Sequence, residues 1–198
     1  MIRKTMKSKV LTIIVIGSLA MLASCETKQV TQQSTSFTEE ELIARGEYLT
    51  TIGACHDCHS PKVMTPNGPE PDPKRRLSGH PQNEPLPPIA PSQDWISFSI
   101  GLTGFVGPWG VSYAANLTPD ETGIGNWTYE QLETAIRKGK SKGLEHNRSL
   151  LPPMPWTMYK DMTDDDLRAV YAYLQSLPPV NNLVPAPVPP DKMQSFTK

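Results

Sequence analysis

Apolar residues recur at helical spacing in three stretches of the chain, and each stretch begins with a threonine followed by acidic or amide side chains. The stretches cover about 38–51, 128–139 and 163–177, and a Thr-x-x-Glu/Gln capping box introduces the first two. Glycine ends the second stretch and a proline pair ends the third. The pattern therefore predicts three main helices.

Between the first two predicted helices, residues 60–112 contain no long stretch of helical periodicity. Proline, glycine and asparagine dominate there, and only a short run over 95–100 alternates between apolar and polar residues. We expect a long Pro/Gly-rich loop insertion with at most one short strand or helical turn. The predicted fold class is all-α.

The chain starts with a basic segment followed by an apolar run, Val10–Leu22, of 13 residues. A membrane-spanning helix needs about 20 residues, so this length favours the apolar core of a signal peptide over residues 1–24. The run closes with Leu-Ala-Ser and then Cys25, which resembles the lipobox of bacterial lipoproteins. We expect Cys25 to be the lipidated N-terminus and residues 25–36 to be a flexible polar tether. An ordinary signal peptide or an uncleaved anchor remains the alternative, and all three place the remaining chain outside the cytoplasm.

Charge and composition narrow the function classes. The whole chain has a formal net charge of −1, and removal of residues 1–24 takes away four basic residues, which leaves 15 basic and 20 acidic residues, a net −5. This balance argues against a nucleic-acid partner, for which a basic patch is expected. The 21 prolines are about twice the average usage. They favour rigid loops, and residues 181–198 form a Pro-rich C-terminal tail.

The sequence Cys55-His56-Asp57-Cys58-His59 places two thiols around two residues, with a histidine directly after them. This is the attachment pattern for c-type haem. Each thiol can add to one haem vinyl group, and the adjacent imidazole can then bind the iron. One such motif indicates one covalent haem, held by Cys55 and Cys58, with His59 as its proximal ligand.

Two other interpretations of the motif remain open. A CxxC pair can supply half of a zinc site, but a structural zinc ion takes four ligands, and the remaining cysteine, Cys25, has a different predicted use. A CxxC pair can also be a redox dithiol, but that motif occurs in a βαβ context, and the chain shows no such pattern.

The second axial position of the iron needs a residue from elsewhere, and a methionine thioether is the usual partner of histidine in c-type haem centres. Met154 lies in Pro152-Pro153-Met154-Pro155, where the prolines disfavour helix and hold the backbone extended. We therefore predict Met154 as the distal ligand. The less favoured alternatives are other methionines and histidines of the chain: Met64, Met158, Met162, Met193, His80 and His146.

The order of helix, CxxCH, loops, helix, methionine loop and terminal helix resembles class I cytochrome c over residues 37–180. It is similar to bacterial cytochromes that carry the patterns found here at Asn116–Asp120, Thr122–Thr128, Pro152–Trp156 and Ala172–Val180. The resemblance implies the class I cytochrome c fold, with the three main helices around the haem. Related domains are electron-accepting subunits of dehydrogenases, often with several haems, whereas this chain has one CxxCH and a lipobox.

The resemblance also implies specific packing. Gly46 would allow a close approach of two helices, with Tyr48 or Leu49 packed on Tyr171 and Leu174.

It further implies that a proline carbonyl after the CxxCH motif accepts the ring N–H of His59, and Pro69 is the candidate. Trp127 can donate its indole N–H to a haem propionate, although packing is the more common role of a buried tryptophan.

The residues and the resemblance together predict a membrane-tethered, mono-haem electron carrier rather than an enzyme. Its partners would be redox proteins, a donor dehydrogenase or respiratory complex and an acceptor oxidase or reductase, on the periplasmic or cell-surface side of a membrane. The main alternative is a peroxidase-like or gas-binding haem protein with an open sixth position. A third is a sensor or binding subunit in which the haem is structural.

Overall fold

The computed structural model describes residues 37–87 and 95–195, without the side chains of the last two. The predicted signal peptide, the lipidation site Cys25 and the tether lie outside the described residues. Residues 88–94, within the predicted loop insertion, and residues 196–198, at the end of the tail, lie outside them as well.

Five α-helices occur in the described part of the chain: α1 (Glu39–Ile52), α2 (Cys55–His59), α3 (Tyr129–Lys138), α4 (Trp156–Tyr159) and α5 (Asp164–Ser176). The three long ones are those that the apolar periodicity predicts. Capping boxes start α1 and α3, and the hydroxyl of Thr163 accepts the N–H of Asp166 at the start of α5. These side chains satisfy backbone donors that the first helical turn leaves without partners.

The first and last helices cross at Gly46. A Cβ atom on this glycine would lie 2.0 Å from the carbonyl oxygen of Ala169 and 2.5 Å from Cβ of Tyr173. The close helix contact expected at Gly46 is therefore present, but its partners are Ala169 and Tyr173. Leu49 and Leu174 belong to the adjoining core, whereas Tyr48 is exposed.

The main core lies between α1, α3 and α5. Burial of apolar side chains contributes about 25 cal/mol per Å² of surface removed from water, so this cluster stabilises the helical part. Ile43 and Leu49 of α1 pack against it as partly buried residues. Its buried members come from α3, α5 and the segments that precede α3: Leu77, Ile124, Leu132, Leu167, Val170, Tyr173 and Leu174.

The prediction of an all-α fold is wrong, because the described part of the segment expected to be a loop insertion contains five strands. An antiparallel hairpin pairs β1 (Lys62–Thr65) with β2 (Gly68–Pro71). A second sheet has the order β3-β4-β5 and consists of β3 (Ser97–Phe98), β4 (Gly104–Gly107) and β5 (Gly110–Tyr113). Strands of two to four residues are too short to establish a period of two, which is why the hydrophobic pattern did not reveal them.

The Pro-rich tail lies along the second sheet. Val188 exchanges both backbone hydrogen bonds with Val111 in β5, at 2.8 and 3.0 Å. Met193 is only 1% exposed and packs with Val106 and Val111 in a second, smaller core. The tail therefore extends the sheet by a further bridge and covers its apolar side chains.

None of the helices in the described residues is long and apolar enough to cross a membrane.

Candidate functional site

The CxxCH motif forms the short helix α2, which follows α1 after a tight turn. Gly53 closes the end of α1 by donating its N–H to Leu49, and Ala54 has a left-handed conformation, with φ of 56°, that turns the chain into α2. Cys55 and Cys58 are half-buried free thiols on this helix. The turn therefore presents both attachment positions on one helical turn, directly before His59.

The electrostatics of the thiols distinguish between the interpretations of the motif. Burial raises the pKa of the Cys55 thiol to about 11, and burial followed by the nearby Asp57 raises the pKa of Cys58. A redox dithiol uses a cysteine whose pKa is lowered, which is the opposite of the shift seen here. Moreover, no group of three or more His, Cys, Asp or Glu side chains within 37–87 and 95–195 is placed to hold a metal ion.

His59 is held by a backbone carbonyl that the sequence did not indicate. Its Nδ1 lies 2.8 Å from the carbonyl oxygen of Ala115, which can only accept, so Nδ1 carries the proton. Burial lowers the pKa of the His59 imidazole, opposed by this hydrogen bond, and favours the neutral ring. The arrangement leaves the Nε2 lone pair available for a metal. The prediction that Pro69 supplies the carbonyl is wrong, since the ring N–H of His59 donates to Ala115 instead.

The end of α2 is tied to the insertion. Gly79 donates its N–H to the carbonyl of His59 at 2.8 Å. The ammonium of Lys62 donates to the carbonyls of Asp57 and Ser60 at 2.6 and 2.8 Å, where a cation also complements the helix dipole. The insertion that contains the strands therefore fixes the orientation of the CxxCH helix.

Met154 lies half-buried in a loop between the second and third main helices. Its N–H donates to the carbonyl of Leu151 at 3.3 Å. Trp156, the first residue of α4, packs against Gly139 at the end of α3, since a Cβ atom there would lie 2.4 Å from Cε2 of the indole. The packing of the Trp156 indole against the backbone at Gly139 thus anchors the C-terminal end of the methionine loop.

Tyr159 connects this methionine loop with the CxxCH motif. Its hydroxyl donates to the carbonyl of Gly53 at 2.6 Å, in the turn just before Cys55. Burial raises the pKa of Tyr159, and the thiols of Cys55 and Cys58 add to the effect. This hydrogen bond joins α4, which begins two residues after Met154, to the turn that precedes the predicted haem attachment positions.

Of the other candidate ligands, His80, Met162 and Met193 are engaged elsewhere, whereas Met64, Met158 and His146 are exposed. His80 is fully buried, with Nδ1 2.9 Å from the hydroxyl of Thr103 and Nε2 2.7 Å from the carbonyl of Glu84, so both ring nitrogens have partners. Met193 is enclosed in the second core and Met162 packs against the first. Trp127 also packs against the first core.

These residues fit a covalently attached haem. Two free thiols stand at the required spacing, and a neutral imidazole with a fixed Nδ1–H follows them. A family model for cytochrome c matches residues 43–178. The chain belongs to the cytochrome c family. The family confirms covalent haem c as the cofactor, and with it the expected role of electron carrier rather than enzyme.

Several named relatives of this cytochrome are subunits of dehydrogenases. It is 32% identical over 135 residues to the gluconate 2-dehydrogenase cytochrome c subunit of Pantoea cypripedii, covering 68% of this chain and 23% of the relative. It is 32% identical over 136 residues to the cytochrome c subunit of the quinone alcohol dehydrogenase of Gluconobacter oxydans, covering 68% and 21%. A shorter match, 44% identical over 80 residues, is to a nicotinate dehydrogenase subunit of Pseudomonas putida, covering 40% and 6%. The chain therefore spans less than a quarter of the length of each of these relatives.

Proposed function

We propose that this cytochrome carries one haem with His59 and Met154 as axial ligands and moves single electrons between redox proteins. The observation that carries the proposal is the hydrogen bond from Tyr159 to Gly53, because it joins the helix after Met154 to the turn before Cys55. Two ligands from separate parts of the chain can then approach one iron from opposite sides.

Each site residue has a defined role in this proposal. Cys55 and Cys58 hold the haem through thioethers, and the Ala115 carbonyl orients His59 for the iron. The bound haem supplies one-electron chemistry by alternating between its ferrous and ferric states. The Met154 thioether favours the ferrous state and raises the reduction potential relative to two histidines. Ligands held in place in both states keep structural rearrangement small.

The membrane attachment is a further part of the proposal. Residues 1–24 are removed as a signal peptide, Cys25 carries the lipid, and residues 25–36 tether a cytochrome domain of residues 37–180 with the tail of 181–198. The protein then works on the extracytoplasmic side of a membrane. A flexible tether keeps the haem domain at high effective concentration near membrane-bound partners.

The relatives support a dehydrogenase as the electron donor. Relatives of this chain are named as cytochrome subunits of gluconate, alcohol and fructose dehydrogenases. A further relative from Cereibacter sphaeroides is named a diheme cytochrome c-type, whereas this sequence has one CxxCH. We infer a single-haem carrier that accepts electrons from a dehydrogenase and passes them to an oxidase or reductase.

Substitution of Met154 tests the ligand assignment. The ferrous wild-type protein should be low-spin and bind carbon monoxide poorly, because the thioether occupies the sixth position. Met154→Ala should become high-spin, bind carbon monoxide readily, and have a lower reduction potential, within the range of about 0.8 V that axial ligands control. Visible spectra, carbon monoxide titration and redox titration give the three readouts.

Met158→Ala is the matched control, since Met158 lies four residues further along and is exposed. It should retain the low-spin spectrum and the potential of the wild type. A wild-type protein that binds carbon monoxide rapidly, with a spectrum unchanged by Met154→Ala, would instead indicate an open-site haem protein of the peroxidase-like or gas-binding class.

A further inference from the structure

The methionine loop is attached to the second sheet by a buried serine. The hydroxyl of Ser112, in the middle of β5, donates to the carbonyl of Pro152 at 2.6 Å, two residues before Met154. Ser112 is 6% exposed, so this short hydrogen bond has little competition from water. In the described structure it is a direct polar contact between the insertion and the loop that carries the predicted ligand.

A tryptophan orients that serine. The indole Nε1 of Trp109 donates to Oγ of Ser112 at 3.1 Å. Because the serine oxygen accepts this N–H, its own proton is directed to the Pro152 carbonyl. The ring of Trp109 is itself held over Gly107, where a Cβ atom would lie 2.5 Å from Cη2 of the indole.

The strand that carries Ser112 is fixed on both sides. It pairs with β4 along its length and, through Val111, with Val188 of the tail. Two residues after β5, the carbonyl of Ala115 accepts the ring N–H of His59. The segment from Ser112 to Ala115 thus contacts the loop of one predicted axial ligand and the ring of the other.

We infer that Ser112, oriented by Trp109, is a positioning residue that holds the Met154 loop in its ligand-binding conformation, and that the segment from Ser112 to Ala115 positions both axial ligands of the haem. The inference rests on the proposed His59 and Met154 ligation. An iron–thioether bond is easily exchanged when its loop moves. The hydrogen bond to Pro152 restricts that movement and keeps the sixth position closed.

The test measures how often the sixth position opens. Carbon monoxide binds the ferrous protein only when the thioether has left, so its association rate reports the open population. Loss of one buried hydrogen bond in Ser112→Ala should raise that rate between about twofold and tenfold. It should also weaken the charge-transfer band of the ferric methionine–iron bond. Ser112→Thr, which keeps the hydroxyl, should restore both values.

Ser99→Ala is the control for general damage to the sheet. Its hydroxyl accepts the N–H groups of Thr103 and Gly104 in the same sheet but has no hydrogen bond to the methionine loop within the described residues. This variant should leave the carbon monoxide rate unchanged even if it lowers the melting temperature. Equal rates in Ser112→Ala and wild type, or an equal increase in Ser99→Ala, would overturn the inference.

Two further variants keep the outcomes distinct. If Ser112→Ala does not accumulate as holoprotein, Trp109→Phe keeps an aromatic side chain at this position but removes the orienting N–H together with part of the indole ring. It should raise the carbon monoxide association rate reproducibly, by at most about twofold. No increase overturns the role of Trp109. If Met154→Ala itself leaves carbon monoxide binding unchanged, the ligation is wrong and the inference fails with it. If Met154→Ala raises the carbon monoxide association rate but Ser112→Ala does not, the inference about Ser112 is wrong while the Met154 ligation stands.

Discussion

At the scale of single residues, His80 shows how a buried polar group stabilises the insertion next to the haem site. It is fully buried, donates from Nε2 to Glu84, and accepts at Nδ1 from the hydroxyl of Thr103. Its ring also lies 4.8 Å from that of Tyr113. Burial lowers the pKa of His80, opposed by the Glu84 carbonyl, so the folded protein keeps the ring neutral.

This arrangement predicts a loss of stability in acid. The unfolded chain protonates His80 near its ordinary pKa of about 6.5, whereas the folded chain does so only at lower pH. The contribution of neutral His80 to the free energy of unfolding is therefore fully present above about pH 6.5. It decreases as the pH falls, by at most about 1.4 kcal/mol per pH unit. Urea unfolding of the holoprotein at pH 7.5 and 5.5 should show a smaller decrease for His80→Gln than for the wild type, and equal decreases would contradict this role.

The residues that carry chemistry were visible in the sequence to different extents. Cys55, Cys58 and His59 could be recognised because the spacing itself is required for haem attachment. The Ala115 carbonyl could not, because any residue offers a carbonyl and only the fold determines which one meets the imidazole. Ser112 gave no signal for the same reason, since its role depends on a loop 40 positions away.

At the scale of elements, the crossing of α1 and α5 is the contact on which the helical part depends. Gly46 on α1 is buried and has no side chain, so the backbone of α5 occupies the space that a Cβ atom would need. An ion pair between Arg45 and Asp166 adds a polar contact beside this crossing. The crossing supports the end of α1, from which the chain turns into the CxxCH helix.

Gly46→Ala should therefore destabilise the protein, although alanine favours helix over glycine by about 1 kcal/mol. The added Cβ would lie 2.0 Å from a backbone oxygen, and overpacking of this kind costs about 1–3 kcal/mol. Gly101→Ala is the control, since its Cβ would have its nearest neighbour at 3.7 Å, and it should change stability by less than about 0.5 kcal/mol. Chemical denaturation measures both, and a stabilised Gly46→Ala would contradict the crossing.

Helices and strands could be predicted from the sequence only where a hydrophobic pattern repeats over several turns. The long helices have capping residues and three or more apolar positions on one face, so their existence followed from the sequence. The strands have at most four residues, and β2 contains two prolines and a glycine, which strands usually avoid. The Pro66-Asn67-Gly68 sequence at the first hairpin was the available turn signal.

At the scale of the whole molecule, the tail is hydrogen-bonded to the insertion, and together they support the site. Asn182 donates to the carbonyls of Ser78 and His80 at 2.6 and 2.9 Å, and accepts the N–H of Gln82 at 2.8 Å. The tail therefore fixes the segment that also contains Gly79, whose N–H donates a hydrogen bond to the carbonyl of His59. Composition alone indicated an extended proline-rich tail and did not indicate these contacts.

Membrane attachment is the prediction that concerns the molecule as a whole. Cys25→Ala should move the protein from the membrane fraction to a soluble extracytoplasmic fraction, because the cysteine is the proposed site of lipid attachment. The haem spectrum should remain unchanged, since Cys25 lies outside the haem-binding motif. Cell fractionation with haem staining checks both, and a Cys25→Ala protein that stays on the membrane without lipid would show that Val10–Leu22 is an uncleaved anchor.

The identity of the sixth ligand is the central claim, and the methyl resonances of the methionines test it most directly. A methyl group held over the haem plane in the ferrous protein experiences a strong ring-current shift to high field. With ¹³C-methyl methionine, one such resonance should be present, should disappear in Met154→Leu and should remain in Met158→Leu. A ferrous protein without a high-field methionine methyl, or one that keeps it in Met154→Leu, would contradict the proposed ligation.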